Sequence, residues 1–301
     1  MNLQTDYAFK RIFGSEKYKN VAIRFLNILF ENEFNIRDIH FMNKELLPSD
    51  SEGKSIVYDV YCTNKEGRGE HFIIEMQNNY KPYWKNRTLF YIASAITGQG
   101  RRGWEYDMKP VFTIFIIDFP MEGMSELPVH DIRLADIKSH RVYTDDLRML
   151  FLPLGNVKNE WEECDNDIEK LLYLIKNMEN MDKKSKPYKD NFFEELFDAA
   201  EIGSLAAEDV VPYSQSLQRL RDDERDRKFL AEEYRAEGRA EGRVEGRAEG
   251  RVEGRAEGRF EGEQIAYLAT AKRLLAMGLD ILTISKATGL SEDQIAGLQP
   301  S

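Results

Sequence analysis

The chain has 301 residues, with 42 Lys plus Arg against 53 Asp plus Glu, so its formal net charge is −11. Hydrophobic residues make up 42%, enough for a sizeable core, and the negative balance excludes a protein that coats nucleic acid with its whole surface. Two cysteines, Cys62 and Cys164, exclude a disulfide scaffold or a cysteine zinc cluster and read as reduced thiols.

No stretch approaches the roughly 18 apolar residues of a membrane span. The opening MNLQTDYAFKRIFG lacks the apolar centre of a signal peptide. The expectation is a soluble, cytoplasmic protein with no membrane partner. Residues 1–210 hold 27 basic and 36 acidic residues, and 211–301 hold 15 and 17. The first part also carries nearly all the aromatics and apolar runs, and is the globular part.

Thr5 or Asp6 caps a first helix in which Phe9, Ile12 and Phe13 recur at helical spacing. Val21, Phe25, Ile28 and Leu29 continue a second helical stripe. The basic residues of this region, Lys10, Arg11, Lys17, Lys19 and Arg24, read as a solvated helix face. The period then changes. Ser55–Thr63 (SIVYDVYCT) and His71–Gln77 (HFIIEMQ) are rich in β-formers, and NKEGRGE between them is a turn. Pro82 opens a helix toward Ile96, which Gly98, Gly100 and Gly103 end. Lys109–Phe119 is a nearly continuous apolar strand, expected to be buried on both faces. Leu147–Leu154 is another strand. This order predicts a mixed α/β core. Trp161 to about Ala207 reads as helical, broken at Pro187.

Arg235–Gly262 repeats Arg-Ala/Val-Glu-Gly seven times, with Phe260 as the last variant. On an α-helix a four-residue period lays Arg, Glu and Gly on separate, slowly drifting ridges. Arg and Glu sit two or six apart, so the i,i+4 ion pairs are not set up. Seven glycines weaken such a helix. A spacer is the favoured reading, with self-association through the small-residue ridge as the alternative. In the tail, Asp280 caps one short helix, Gly289 makes a turn, and Ser291 with Gln294 forms a capping box for the next. That is a helix-turn-helix pattern. Its second helix offers Glu292, Asp293 and Gln294 with no Lys or Arg for phosphate, so a helical cap or docking element is preferred over DNA recognition.

The chemistry concentrates in the hairpin. Side chains alternate along a strand, so Val57, Asp59 and Tyr61 share one face, as do Ile73, Glu75 and Gln77. With the turn centred on Gly67, Asp59 lies opposite Glu75, their Cβ atoms about 5 Å apart. Facing carboxylates repel, and either water or a divalent cation must relieve them. Mg²⁺ suits two acids with the Met76 carbonyl, and Gln77 is placed to hold a water. Lys81, Lys85, Arg101 and Arg102, interleaved with Tyr80, Tyr83 and Trp84, form a basic and aromatic patch for DNA; the competing reading is an amphipathic helix packing its aromatics. The four histidines (His40, His71, His130, His140) show no ligand spacing. No phosphate loop and no nucleophile elbow is present, so no nucleotide cofactor is expected.

DYAFKRIFG (Asp6–Gly14), DVY (Asp59–Tyr61), IEMQ (Ile74–Gln77), then Arg87 and Tyr91 in the following helix, and the glycine-repeat tail ending in TGLS, together resemble the Rpn-type recombination-promoting nucleases, or PD-(D/E)XK nuclease family transposases. The resemblance implies a restriction-endonuclease-like α/β core with a C-terminal helical extension. It also implies metal-dependent DNA cleavage linked to RecA-independent recombination and horizontal gene transfer. Carried over by position, Asp59 and Glu75 bind the metal, Mg²⁺ (or Mn²⁺ or Ca²⁺), and Gln77 stands where most of the wider superfamily has a catalytic Lys. Asp6, Arg87 and Tyr91 support them. For Asp6 the other reading is helix-terminus stabilisation, and for Arg87 an ion pair with Glu75 or Asp6.

The expected organisation is a nuclease-like core over 1–160, a helical segment over 161–210, a long repeat helix over 211–262 and a helix-turn-helix-like tail over 263–301. The expected partner is double-stranded DNA, cut by a homodimer. Two other readings stand beside it: a module with weakened catalysis that binds DNA or protein and oligomerises through its tail, and an RNA-directed enzyme.

Overall fold

A computed structural model describes residues 1–30, 33–43, 45–46, 56–100, 105, 107–181 and 191–298. The chain divides into two units, Met1–Arg225 and Asp226–Ser301.

The first unit is a mixed α/β fold built on one six-stranded sheet. Helices α1 (Asp6–Phe13) and α2 (Lys19–Leu29) lead into β1 (Ile39–Phe41), β2 (Glu45–Leu46), β3 (Ile56–Val57), β4 (Val60–Asn64) and β5 (His71–Gln77). Then follow α3 (Trp84–Thr97), β6 (Val111–Ile117), β7 (His130–Asp136), β8 (Arg141–Pro153), α4 (Asp167–Asn177) and α5 (Asn191–Ala199). The sheet order is β1-β4-β5-β6-β8-β7, and β2 and β3 pair separately. β4 and β5 form the expected antiparallel hairpin, in the expected register, with Val60 opposite Ile74 and Tyr61 opposite Ile73. β5, β6 and β8 run parallel to one another.

Alternation sorts the strands' side chains into two cores. Val60, Cys62, Phe72, Ile74, Phe112, Ile114 and Ile116 pack with α1, α2, α4 and α5 on one face. Tyr61, Ile73, Val111, Phe115 and Ile117 pack with Trp84, Tyr91 and Ile92 of α3 on the other. All seven residues of β6 are buried, as its unbroken apolar run predicts. Each such Phe or Ile contributes about 1.5–3 kcal/mol by leaving water.

The expected single strand Ser55–Thr63 is a correction. Ser55 lies outside the described residues, and the rest divides into β3 and β4 around a bend at Asp59. Tyr58 packs on the same side as Tyr61, three residues on, so Val57, Asp59 and Tyr61 do not share one face. The bend aims the amide and carboxylate of Asp59 at β5. β7 was not expected, because His130 is its one buried residue and its pattern is polar. The segment after Trp161 is several short helices, and the break expected at Pro187 falls outside the described residues. The basic residues of α1 are not a solvated face. Arg11 donates to the carbonyls of Ala199 and Ser204, both at 3.2 Å, and ties α1 to the end of α5.

Helix α6 (Ala207–Ala276) begins in the first unit and carries the glycine repeat. A Cβ on any repeat glycine, Gly238 to Gly262, would meet nothing within 4 Å. In the second unit α7 (Ile281–Thr288) and α8 (Glu292–Ala296) pack on the end of α6 through Ala271, Ile284, Leu290 and Ile295. Asp280 accepts from the Thr283 amide, Gly289 takes the left-handed conformation at φ 74°, and Ser291 and Gln294 close the expected capping box. Among the described residues no helix is long and apolar enough to cross a membrane.

Candidate active site

Asp59, at the bend, and Glu75, on the central part of the sheet, are joined through the main chain. The Asp59 amide donates to Glu75 Oε1 at 2.9 Å, and the Met76 amide donates to Asp59 Oδ2 at 3.0 Å. Glu75 is 1% exposed. Burial, then the nearby charge of Asp59, pushes the Glu75 carboxyl well above the ordinary value. Burial also raises Asp59, against the pull of the Met76 amide and Lys10. A buried carboxyl raised further by its half-buried neighbour makes a donor pair short of positive charge, and a hard divalent cation fits that deficit. Among the described residues no group of three or more His, Cys, Asp or Glu forms a metal cluster, so a cation here would draw its protein ligands from this pair and neighbouring main chain or water.

Gln77 ends β5, with Nε2 3.5 Å from Glu75 Oε2. Asp6 opens α1 and pairs with Lys10 at 2.6 Å, so it both sits in the helix's first turn and borders the site. Lys10 also reaches Asp59 Oδ1 at 3.2 Å. Burial works against its charge, but Asp6 and Asp59 outweigh it and raise its pKa. Sequence reasoning missed Lys10; the signal was its i,i+4 spacing from Asp6. Arg87 makes neither contact weighed from sequence. It donates from Nε and Nη2 to Tyr91 Oη at 3.1 and 2.7 Å and lies over that ring at 5.0 Å. Tyr91 is raised first by burial and then by Glu75. Its carbonyl accepts from Tyr58 Oη at 3.0 Å, which fixes α3 against the bend that carries Asp59.

Asp6, Asp59, Gln77, Lys81 and Arg87 line a polar cleft of about 360 Å³, as do Asn78 and Asn79 beyond β5, while Glu75, Lys10 and Tyr91 are not part of its lining. The Oδ1 atoms of Asn78 and Asn79 are buried there without a hydrogen-bond partner. Ser216, Arg219, Leu220 and Asp223 at the start of α6 complete the wall.

The basic and aromatic patch divides. Trp84 is core, edge-on to Phe119 and Phe151 at 5.6 Å, while Tyr80 and Tyr83 are 48% and 60% exposed. Lys85 lies over the Trp84 ring at 5.8 Å, away from the cleft lining. Arg101 and Arg102 fall outside the described residues. His71 meets Tyr61, Nδ1 to Oη at 2.5 Å. Both cysteines are buried free thiols, and burial pushes Cys62 up to about 12.

Neither a curated protein nor a solved structure matches the chain. Two family models do. Residues 265–300 match the Rpn/YhgA-like nuclease family, C-terminal HTH domain, in agreement with the helix-turn-helix pattern that the turn and caps spell out. Residues 3–227, with the hairpin, the cleft and all its lining, match the PD-(D/E)XK nuclease family transposase model, and the chain belongs to that family.

Proposed function

We propose that the protein is a metal-dependent DNA endonuclease, with Asp59 and Glu75 as its metal-binding carboxylates. The observation that carries this reading is the hydrogen-bonded pair of Asp59, on the wall of a polar cleft, and buried Glu75, both raised by burial. Mg²⁺ is the preferred ion, and Mn²⁺ or Ca²⁺ fits the same oxygen donors. When bound, the cation supplies Lewis-acid stabilisation of the phosphodiester and a nucleophilic water.

The chain's own residues do the rest. The Met76 amide holds Asp59 Oδ2 and the Asp59 amide holds Glu75 Oε1, so each acid keeps one oxygen fixed and presents its other edge. Gln77 orients water by hydrogen bonding, without adding charge. Arg87, braced by Tyr91, and Lys81 on the cleft wall meet the phosphates that flank the scissile one. The helix-turn-helix tail gives a second contact with DNA. Cutting both strands calls for two such sites, which fits a homodimer. The family's association with recombination and mobile DNA extends to this chain as cleavage.

The test is purified protein with supercoiled plasmid, in Mg²⁺ or in EDTA, beside Asp59→Ala and Glu75→Ala. Mg²⁺-dependent nicking lost in both variants is the expected result. Wild type that binds plasmid without cutting it supports the weakened binding module instead, a reading that the neutral Gln77 favours. Cleavage that survives both substitutions rejects the site.

A further inference from the structure

The proposed centre has a positive group that the hairpin motif does not contain. Residue 77 is a neutral Gln whose side chain turns to Glu75. Arg87 is engaged by the Tyr91 hydroxyl, and Lys81 and Arg219 are exposed on the cleft wall. Lys10, by contrast, forms an ion pair with one of the two carboxylates. It comes from α1, one layer away from the hairpin, and its Nζ stands between Asp59 Oδ1 at 3.2 Å and Asp6 Oδ1 at 2.6 Å. Both of those acids line the cleft. The Lys10 side chain is 31% exposed and Asp59 16%, so water screens this contact only in part, while Asp6 at 66% reaches solvent.

We propose that Lys10 is the cationic residue of this active site, performing from the first helix what a lysine in place of Gln77 would perform from the strand. In the metal-free protein it is the counter-charge of Asp59. Once a divalent cation takes Asp59, Asp6 retains Lys10 as its partner, so the ammonium stays beside the centre where negative charge builds on the phosphate. Asp6 is thereby a positioning residue: it acts through Lys10. The inference rests on the nuclease reading for its catalytic half and on the ion pairs alone for its metal-free half.

Two arms test it on the full chain. In the first, Mn²⁺ is titrated calorimetrically into wild type, Lys10→Met and Asp6→Asn. Lys10→Met removes the competing cation, so Mn²⁺ binds about tenfold tighter; Asp6→Asn leaves Lys10 with Asp59 as its sole acid, so Mn²⁺ binds more weakly. Opposite signs from two neighbouring substitutions are not what loss of helix packing produces. In the second arm, plasmid nicking is timed for wild type, Lys10→Met, and Lys10→Met with Gln77→Lys. The single variant loses on the order of 100-fold in kcat with little change in KM, and the second substitution recovers a substantial part of it. Unchanged Mn²⁺ affinity in both variants overturns the proposal. Slow cutting by Lys10→Met that Gln77→Lys does not improve overturns the catalytic half. If wild type itself does not nick DNA, the nuclease reading and the catalytic half fall together, and the Mn²⁺ arm still decides whether Lys10 is the counter-charge of the pair.

Discussion

Asp59 and Glu75 reach each other through the main chain: the Asp59 amide donates to Glu75 Oε1 at 2.9 Å, and the amide next to Glu75 donates to Asp59 Oδ2 at 3.0 Å. Each acid is thereby held by the backbone of the other's segment, Glu75 by the bend and Asp59 by β5. The arrangement exists because the chain bends at Asp59 rather than continuing as a flat strand.

The bend makes the pair sensitive to pH in a defined direction. Both carboxyls are raised by burial, and Glu75 also by Asp59. For raised acids the stabilising contribution is complete below the unfolded value, near 4, and is lost as pH rises through the folded values. The metal-free protein is therefore burdened at neutral and higher pH, where a divalent cation relieves it. Thermal melts with and without Mn²⁺ should show a larger metal-induced rise in Tm at pH 8 than at pH 5. Glu75→Gln should raise the metal-free Tm at pH 8 and abolish most of that metal effect.

Arg87 depends on Tyr91 for its orientation. Tyr91→Phe keeps the ring under the guanidinium and removes the acceptor of both hydrogen bonds. Plasmid nicking should fall at least about tenfold, through loss of both charge-assisted hydrogen bonds that orient the guanidinium, with Tm nearly unchanged.

Arg148 ties the far side of the sheet. It is 4% exposed, lies over Phe30 and Phe112, and pairs with Glu33 and, at 2.6 Å, with Asp131. Arg148→Met should cost about 1–2 kcal/mol in urea unfolding, since Glu33 and Asp131 lose their shared cation although Arg133 still pairs with Asp131. Burial would raise Asp131, but Arg133 and Arg148 hold it below the ordinary value. For a depressed acid the stabilisation is present above the unfolded value, near 4, and is lost as pH falls below it. Acid titration of wild type should show that loss, and Arg148→Met should reduce it.

Two glycines should respond oppositely to alanine. Gly67, in the hairpin turn, has φ 68°, and a Cβ there would stand 3.0 Å from Glu70 Oε1. Gly67→Ala should destabilise by about 1–2 kcal/mol. Gly246, in the repeat, has open space around it, and Gly246→Ala should strengthen α6 by up to about 1 kcal/mol. Circular dichroism melts check both. A loss of helicity at Gly246→Ala that depends on protein concentration would instead reveal packing between copies through the glycine ridge.

The hairpin register was legible because alternation and the turn at Gly67 agree, and β6 because an apolar run of that length buries both faces. The pairing of Asp59 with Glu75 followed from the register. The bend did not: Asp59 is a poor strand former, but the β-formers on either side of it outweigh that signal. The i,i+4 spacing shows the pairing of Lys10 with Asp6, but its contact with Asp59, like those of Arg148 with Glu33 and Asp131, was illegible because each partner lies on a different element. β7 escaped because an edge strand of polar residues carries no burial signal.

Glu75 belongs to a strand whose neighbour β6 is buried along its whole length. Amides in such a place exchange with solvent through opening of most of the unit, and local fraying does not reach them. Glu75 is therefore held in place for as long as the sheet is intact. A throttle that leaves the sheet undisturbed would act at the entrance, on the wall that α6 contributes through Ser216, Arg219 and Asp223.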